Sequence, residues 1–102
     1  MVHVLIDRAL LADFCRRWGV SEFAVFGSAI REDFRPDSDL DVLVNPSAGI
    51  VWTLLELSDM RDELASLAGR PVDLVVRRAV ERSPNWIRRR EILDSAEILY
   101  AA

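Results

Sequence analysis

Cysteine is almost missing from this sequence: Cys15 is the single one, so an internal disulfide is excluded, as is a cysteine-rich metal site, and packing is its expected role. Lysine is missing altogether, and all 13 basic residues are Arg. An excess of positive charge is also lacking, since 17 acidic residues leave a net charge of -4 and a pI near 4.9. Tight, sequence-indifferent binding of nucleic acid draws its affinity from neutralising many phosphates, so direct nucleic-acid binding is not expected. No apolar run reaches the roughly 18 to 20 residues that span a bilayer. The opening MVHVLIDRALL lacks a basic leader and a small-residue cleavage site, so a soluble, cytoplasmic protein without membrane attachment is expected. Repeats, low-complexity tracts and linkers are absent, and 102 residues with 51% apolar content suit one domain, residues 1–102, with one modest core.

What is present reads as alternating helices and strands. From Asp7 to Trp18 the apolar residues Leu11, Phe14, Cys15 and Trp18 recur at helical spacing, with Asp7 as cap and Gly19 as stop. SEFAVF is too short for a helix and rich in aromatic and β-branched residues, which predicts a strand buried on both faces and ending at Gly27-Ser28. Residues 28 to 34 can form only a short helix, and Arg35-Pro36-Asp37-Ser38 carries turn chemistry, with Asp37 as a turn residue. A second strand follows from Asp39 to Val44. Thr53 and Glu56 form a capping box, with Trp52 and Leu57 as a hydrophobic staple, for a helix striped by Leu57, Met60, Leu64, Leu67 and Ala68. Gly69 and Pro71 stop it before the strand VDLVV. Ser83 as cap and Pro84 at the first helical position predict that WIRRREILDSAEILY continues as one last helix.

The acids demand an explanation. In a strand, residues two apart share a face, so Asp39 and Asp41 project together while Leu40, Val42 and Val44 face the other way. Like charges so placed repel, and burying them without a counter-charge costs several kcal/mol. A divalent cation resolves the conflict. Magnesium takes carboxylate and phosphate oxygens and keeps some of its waters, so one or two protein carboxylates per ion suffice and a nucleotide's phosphates supply the rest. Asp73 is a third acid in an apolar strand. If that strand lies beside the second, three carboxylates can hold two ions roughly 4 Å apart and clamp the attacking and leaving oxygens of nucleotidyl transfer, with Asp73 placed as base. Gly27 lets backbone approach phosphate, Ser28 offers a hydroxyl and an N–H, and Arg31 lies three residues on, on the same face of the short helix.

Gly27-Ser28, ten intervening residues, then Asp39-Leu40-Asp41 and a later acid on a strand at Asp73 resemble the DNA polymerase beta-like nucleotidyltransferase superfamily. More closely, PDSDLDVLV, LAGRPVDLVV and PNWIRRREILDSAEILY look like the minimal nucleotidyltransferases, the MNT-domain antitoxins, over nearly the whole chain. The resemblance implies an α/β (α+β) fold, a small mixed β-sheet backed by helices. It also implies Mg2+, two ions, with ATP as substrate; Asp39, Asp41 and Asp73 as metal ligands and catalytic residues; and Gly27, Ser28 and Arg31 around the triphosphate. It further implies a HEPN-domain RNase toxin as partner, in a hetero-oligomer, silenced by transfer of AMP to a toxin tyrosine. The family often has Arg after the Ser and Gly after the next Arg, where this chain has Ala29 and Glu32. Two other functions stand beside this one: a non-catalytic antitoxin that acts by binding alone, which Ala29 and Glu32 slightly favour, and a subunit that modifies an aminoglycoside-like small molecule.

Elsewhere bland roles are expected. His3 reads as solvated. Trp18, Trp52 and Trp86 read as core, staple and packing residues rather than stacking platforms. Arg88-Arg89-Arg90 reads as an ion-paired surface or part of a partner-facing side.

Overall fold

The computed structural model describes residues 6–27 and 39–102. Arg8–Trp18 form helix α1, opened by Asp7, whose side chain accepts from the N–H groups of Ala9 and Leu10 at 2.8 and 3.2 Å. Gly19, at φ 71°, ends it in the left-handed conformation that glycine adopts without steric cost. Strand β1 (Val20–Phe26) leads to Gly27, and β2 (Leu40–Pro46) returns antiparallel to it. Helix α2 (Leu54–Ala68) starts at the expected capping box: Thr53 Oγ1 accepts from Glu56 N and the Glu56 carboxylate accepts from Thr53 N, each at 3.1 Å. It carries the chain back to β3 (Val72–Val76), which pairs parallel with β2, as a helical crossover permits. Two helices, α3 (Arg77–Glu81) and α4 (Trp86–Ser95), then precede β4 (Glu97–Ala101), antiparallel to the other side of β1.

The mixed sheet thus runs β3-β2-β1-β4. Period-two alternation sorts its residues cleanly. Phe23, Val25, Leu40, Val42 and Val44 face α1 and α2, and with Leu11, Phe14, Cys15, Met60 and Leu64 they make the main core. Ala24, Phe26 and Leu43 face the other way, against Val80 of α3 and Ile92 of α4, in a smaller core. Asp41 and Asp73 share this second face. Trp52 and Leu57 pack on the main core as a staple should, and Trp52 Nε1 donates to Trp18 O at 2.8 Å. Among the described residues no helix is long and apolar enough to cross a membrane.

Three expectations need correction. The last helix stops at Ser95, and residues 97–101 form a strand. Ile98, Leu99 and Tyr100 favour a pleated, half-buried surface, and the open side of β1 gives their backbone hydrogen bonds a taker. The cap of α4 is Asn85, accepting from Arg88 N at 3.1 Å, while Ser83 accepts from Asn85 N and Pro84 sits outside the helix. Helix α3, five residues of RRAVE, had no predicted counterpart; Val80 is its anchor. The expected short helix over 28 to 34 and the turn at 35 to 38 lie outside the described residues, as does His3.

Candidate active site

Asp41 and Asp73 are register partners on adjacent parallel strands, so both carboxylates leave the sheet on one face and side by side. Asp39 lies just before β2, two residues from Asp41, where alternation puts it on the same face. Leu40 N donates to Pro71 O at 2.9 Å, which ties the mouth of β2 to the entry of β3 immediately beside all three acids. Leu40, Val42 and Val44 point away into the main core, as the sequence predicts. Asp41 is half-buried; Asp39 and Asp73 are exposed. The apolar sequence VDLVV suggests a buried strand, which would need a reason to carry Asp73, but β3 is an edge of the sheet. An exposed edge position tolerates a carboxylate without special cause.

Gly27 closes the other side. It follows β1 at φ 66°, and a Cβ there would run into Oδ2 of Asp41. Any side chain at Gly27 would have to displace the Asp41 carboxylate and would be strained at this φ. Ser28 and Arg31 lie outside the described residues. Among the described residues, no group of three or more His, Cys, Asp or Glu side chains is gathered closely enough to hold an ion. What fits a divalent cation is the placement of the acids along the strands: Asp41 and Asp73 in register, Asp39 two residues from Asp41, and Gly27 clearing the approach.

The opposite wall was not foreseen. A wide groove of about 1240 Å³ runs between the sheet face and α4, bounded on one side by Phe26, Gly27 and Asp41 and on the other by Asn85, Trp86, Ile87 and Arg88. Trp86, expected to pack, is 59% exposed. The Arg run divides its work. Arg90 pairs with Asp94 at 3.4 Å, and Arg89 donates to the carbonyls of Ser83 and Glu81 at 3.2 and 3.4 Å. Arg88 lies on the groove. Among the described residues, Arg90 is the member of the run held in an ion pair. A signal in the sequence was available: Trp86 and Ile87 adjoin on a helix start, where one narrow buried stripe cannot take both.

A strand, a Gly elbow, an acidic strand and a parallel acidic neighbour define a nucleotidyltransferase-like centre, and the chain belongs to the nucleotidyltransferase domain family, whose model matches residues 7–99. Protein adenylyltransferase MntA of Thermococcus cleftensis is 37% identical over 65 residues, 64% of each chain. The chain spans just under two thirds of the length of the curated relatives it matches. A solved structure provisionally described as a minimal nucleotidyltransferase is 36% identical with a TM-score of 0.66, over 88% of this chain and 86% of that one. The fold also matches that of a chain in the solved complex of a tri-AMPylated Shewanella oneidensis HEPN toxin with MNT antitoxin, at TM-score 0.62 and 18% identity over 93% of this chain and 70% of that one.

Proposed function

We propose that this protein is a MgATP-dependent protein adenylyltransferase that acts as the antitoxin of a HEPN-type toxin, transferring AMP to a tyrosine hydroxyl of that partner with release of pyrophosphate. The observation that carries the reading is the in-register pairing of Asp41 with Asp73, with Gly27 set against the Asp41 carboxylate. It is supported by the adenylyltransferase relative and by the AMPylated toxin found with a protein of the same fold.

In this reading Asp39, Asp41 and Asp73 would hold two magnesium ions, and Gly27, Ser28 and Arg31 would receive the triphosphate. Bound there, the cation would neutralise phosphate charge and favour the attacking and leaving oxygens. The chain's own groups do the rest. Asp73, exposed at the sheet edge, is reachable by a partner's side chain and accepts the tyrosine proton as the phenolic oxygen bonds to the α-phosphorus. The bond from that phosphorus to the bridging oxygen breaks, and pyrophosphate leaves with its electron pair. Gly27 keeps side-chain bulk away from the phosphates, and the hydrophobic underside of β2 holds Asp41 in register with Asp73.

Incubation with α-labelled ATP, magnesium and a candidate HEPN-domain toxin partner tests the proposal. Label on a toxin tyrosine, lost in Asp39→Asn and Asp41→Asn, is expected; equal labelling by the variants contradicts the mechanism. Toxin neutralisation that persists without all three acids would instead support inhibition by binding alone.

A further inference from the structure

We infer that Trp86 is the platform on which the purine ring of the nucleotide stacks, with Asn85 beside it as a hydrogen-bond donor to the ring edge; this rests on the proposed nucleotide site. Trp86 is 59% exposed and Ile87 55% exposed, and unlike the more exposed Leu54 and Leu55 they stand on the wall of the groove that holds Asp41. Both line the groove that Gly27 and Asp41 line, so a ligand with its phosphates at Gly27 extends toward them. At about 1240 Å³ the groove exceeds the 300 to 1,000 Å³ usual for small-molecule sites, which leaves room for a nucleotide and for an entering acceptor side chain.

Asn85 is held in one orientation. Its Oδ1 accepts from Arg88 N at 3.1 Å as the helix cap, so the remaining end of its amide is the NH2, a donor. Purine rings carry acceptor nitrogens at their edges and a π-face that stacks on indole. Trp18 and Trp52 cannot serve: both are part-buried against the main core, on the far side of the sheet from Asp41.

Calorimetric titration with MgATP and with magnesium tripolyphosphate, which lacks the base, tests the inference in wild type, Trp86→Ala and Trp86→Phe. Trp86→Ala is expected to weaken MgATP binding about 5-fold or more, Trp86→Phe much less, and neither to change tripolyphosphate affinity. Unchanged MgATP affinity in Trp86→Ala overturns the inference and leaves the nucleotide site standing; if labelling of the partner then falls, the indole receives the acceptor instead. An equal loss of both ligands overturns it too, because the indole would then shape the site as a whole. If wild type binds neither ligand, the nucleotide site itself is refuted.

Discussion

A methyl group added to Gly27 would meet Oδ2 of Asp41, whereas one added to Gly69 would meet nothing within 4 Å, although both glycines hold nearly the same φ, 66° and 70°. The pair separates backbone strain from site chemistry. Gly27→Ala and Gly69→Ala should each cost about 1 to 2 kcal/mol of stability from the left-handed conformation. Only Gly27→Ala should also abolish nucleotide binding, read by titration at a temperature where both variants are folded; equal binding by the two would contradict the role given to Gly27. Cys15 offers a second check at this scale. Burial raises its thiol to about 12, so almost no thiolate exists at pH 8. A disulfide reagent should leave the native protein unlabelled for hours and label it at once in denaturant; rapid native labelling would contradict its place in the core.

At the scale of elements, the capping box of α2 is the best-defined start in the chain. Thr53→Ala removes the oxygen that Glu56 N uses and should lower stability by about 1 kcal/mol, seen as a fall in Tm of roughly 4 to 8 °C. No shift would mean the helix is held by packing alone. This element was legible because its signal is local: Thr53, Glu56, Trp52 and Leu57 all lie within six residues. Helix α1 was legible for the same reason, through Asp7 and Gly19. Residues 97–101 were not, since Glu97 to Ala101 become a strand only because β1, far away in sequence, offers an open edge. The acids at 39, 41 and 73 were legible as residue types at a spacing. Their register and the edge position of Asp73 depend on which strand pairs with which, and the facing wall of Trp86 and Arg88 depends on where α4 docks.

Across the whole molecule, the layer that backs the site is stitched by a contact between α1 and α2. The Arg17 guanidinium hydrogen-bonds the Glu63 carboxylate and also pairs with Asp13 at 2.8 Å, while Trp18 Nε1 reaches Glu63 at 3.4 Å. Arg17, chiefly through its hydrogen bond, holds the Glu63 carboxyl below its ordinary value. A carboxyl depressed in the folded state contributes stability above its unfolded pKa and loses that contribution as pH falls through the folded one. Wild type should therefore be more stable than Glu63→Gln at pH 7, with the gap in Tm closing below about pH 4. A gap that stays constant down to pH 3 would contradict the pairing.

The central claim is that acids from two neighbouring parallel strands jointly hold a magnesium nucleotide. Calorimetric titration of ATP with and without magnesium, in wild type and in Asp73→Asn, tests it most directly. The account predicts binding by wild type that vanishes when the metal is chelated and weakens at least 10-fold in Asp73→Asn, whose exposed position leaves the fold intact. Binding that is indifferent to both magnesium and Asp73 would contradict it.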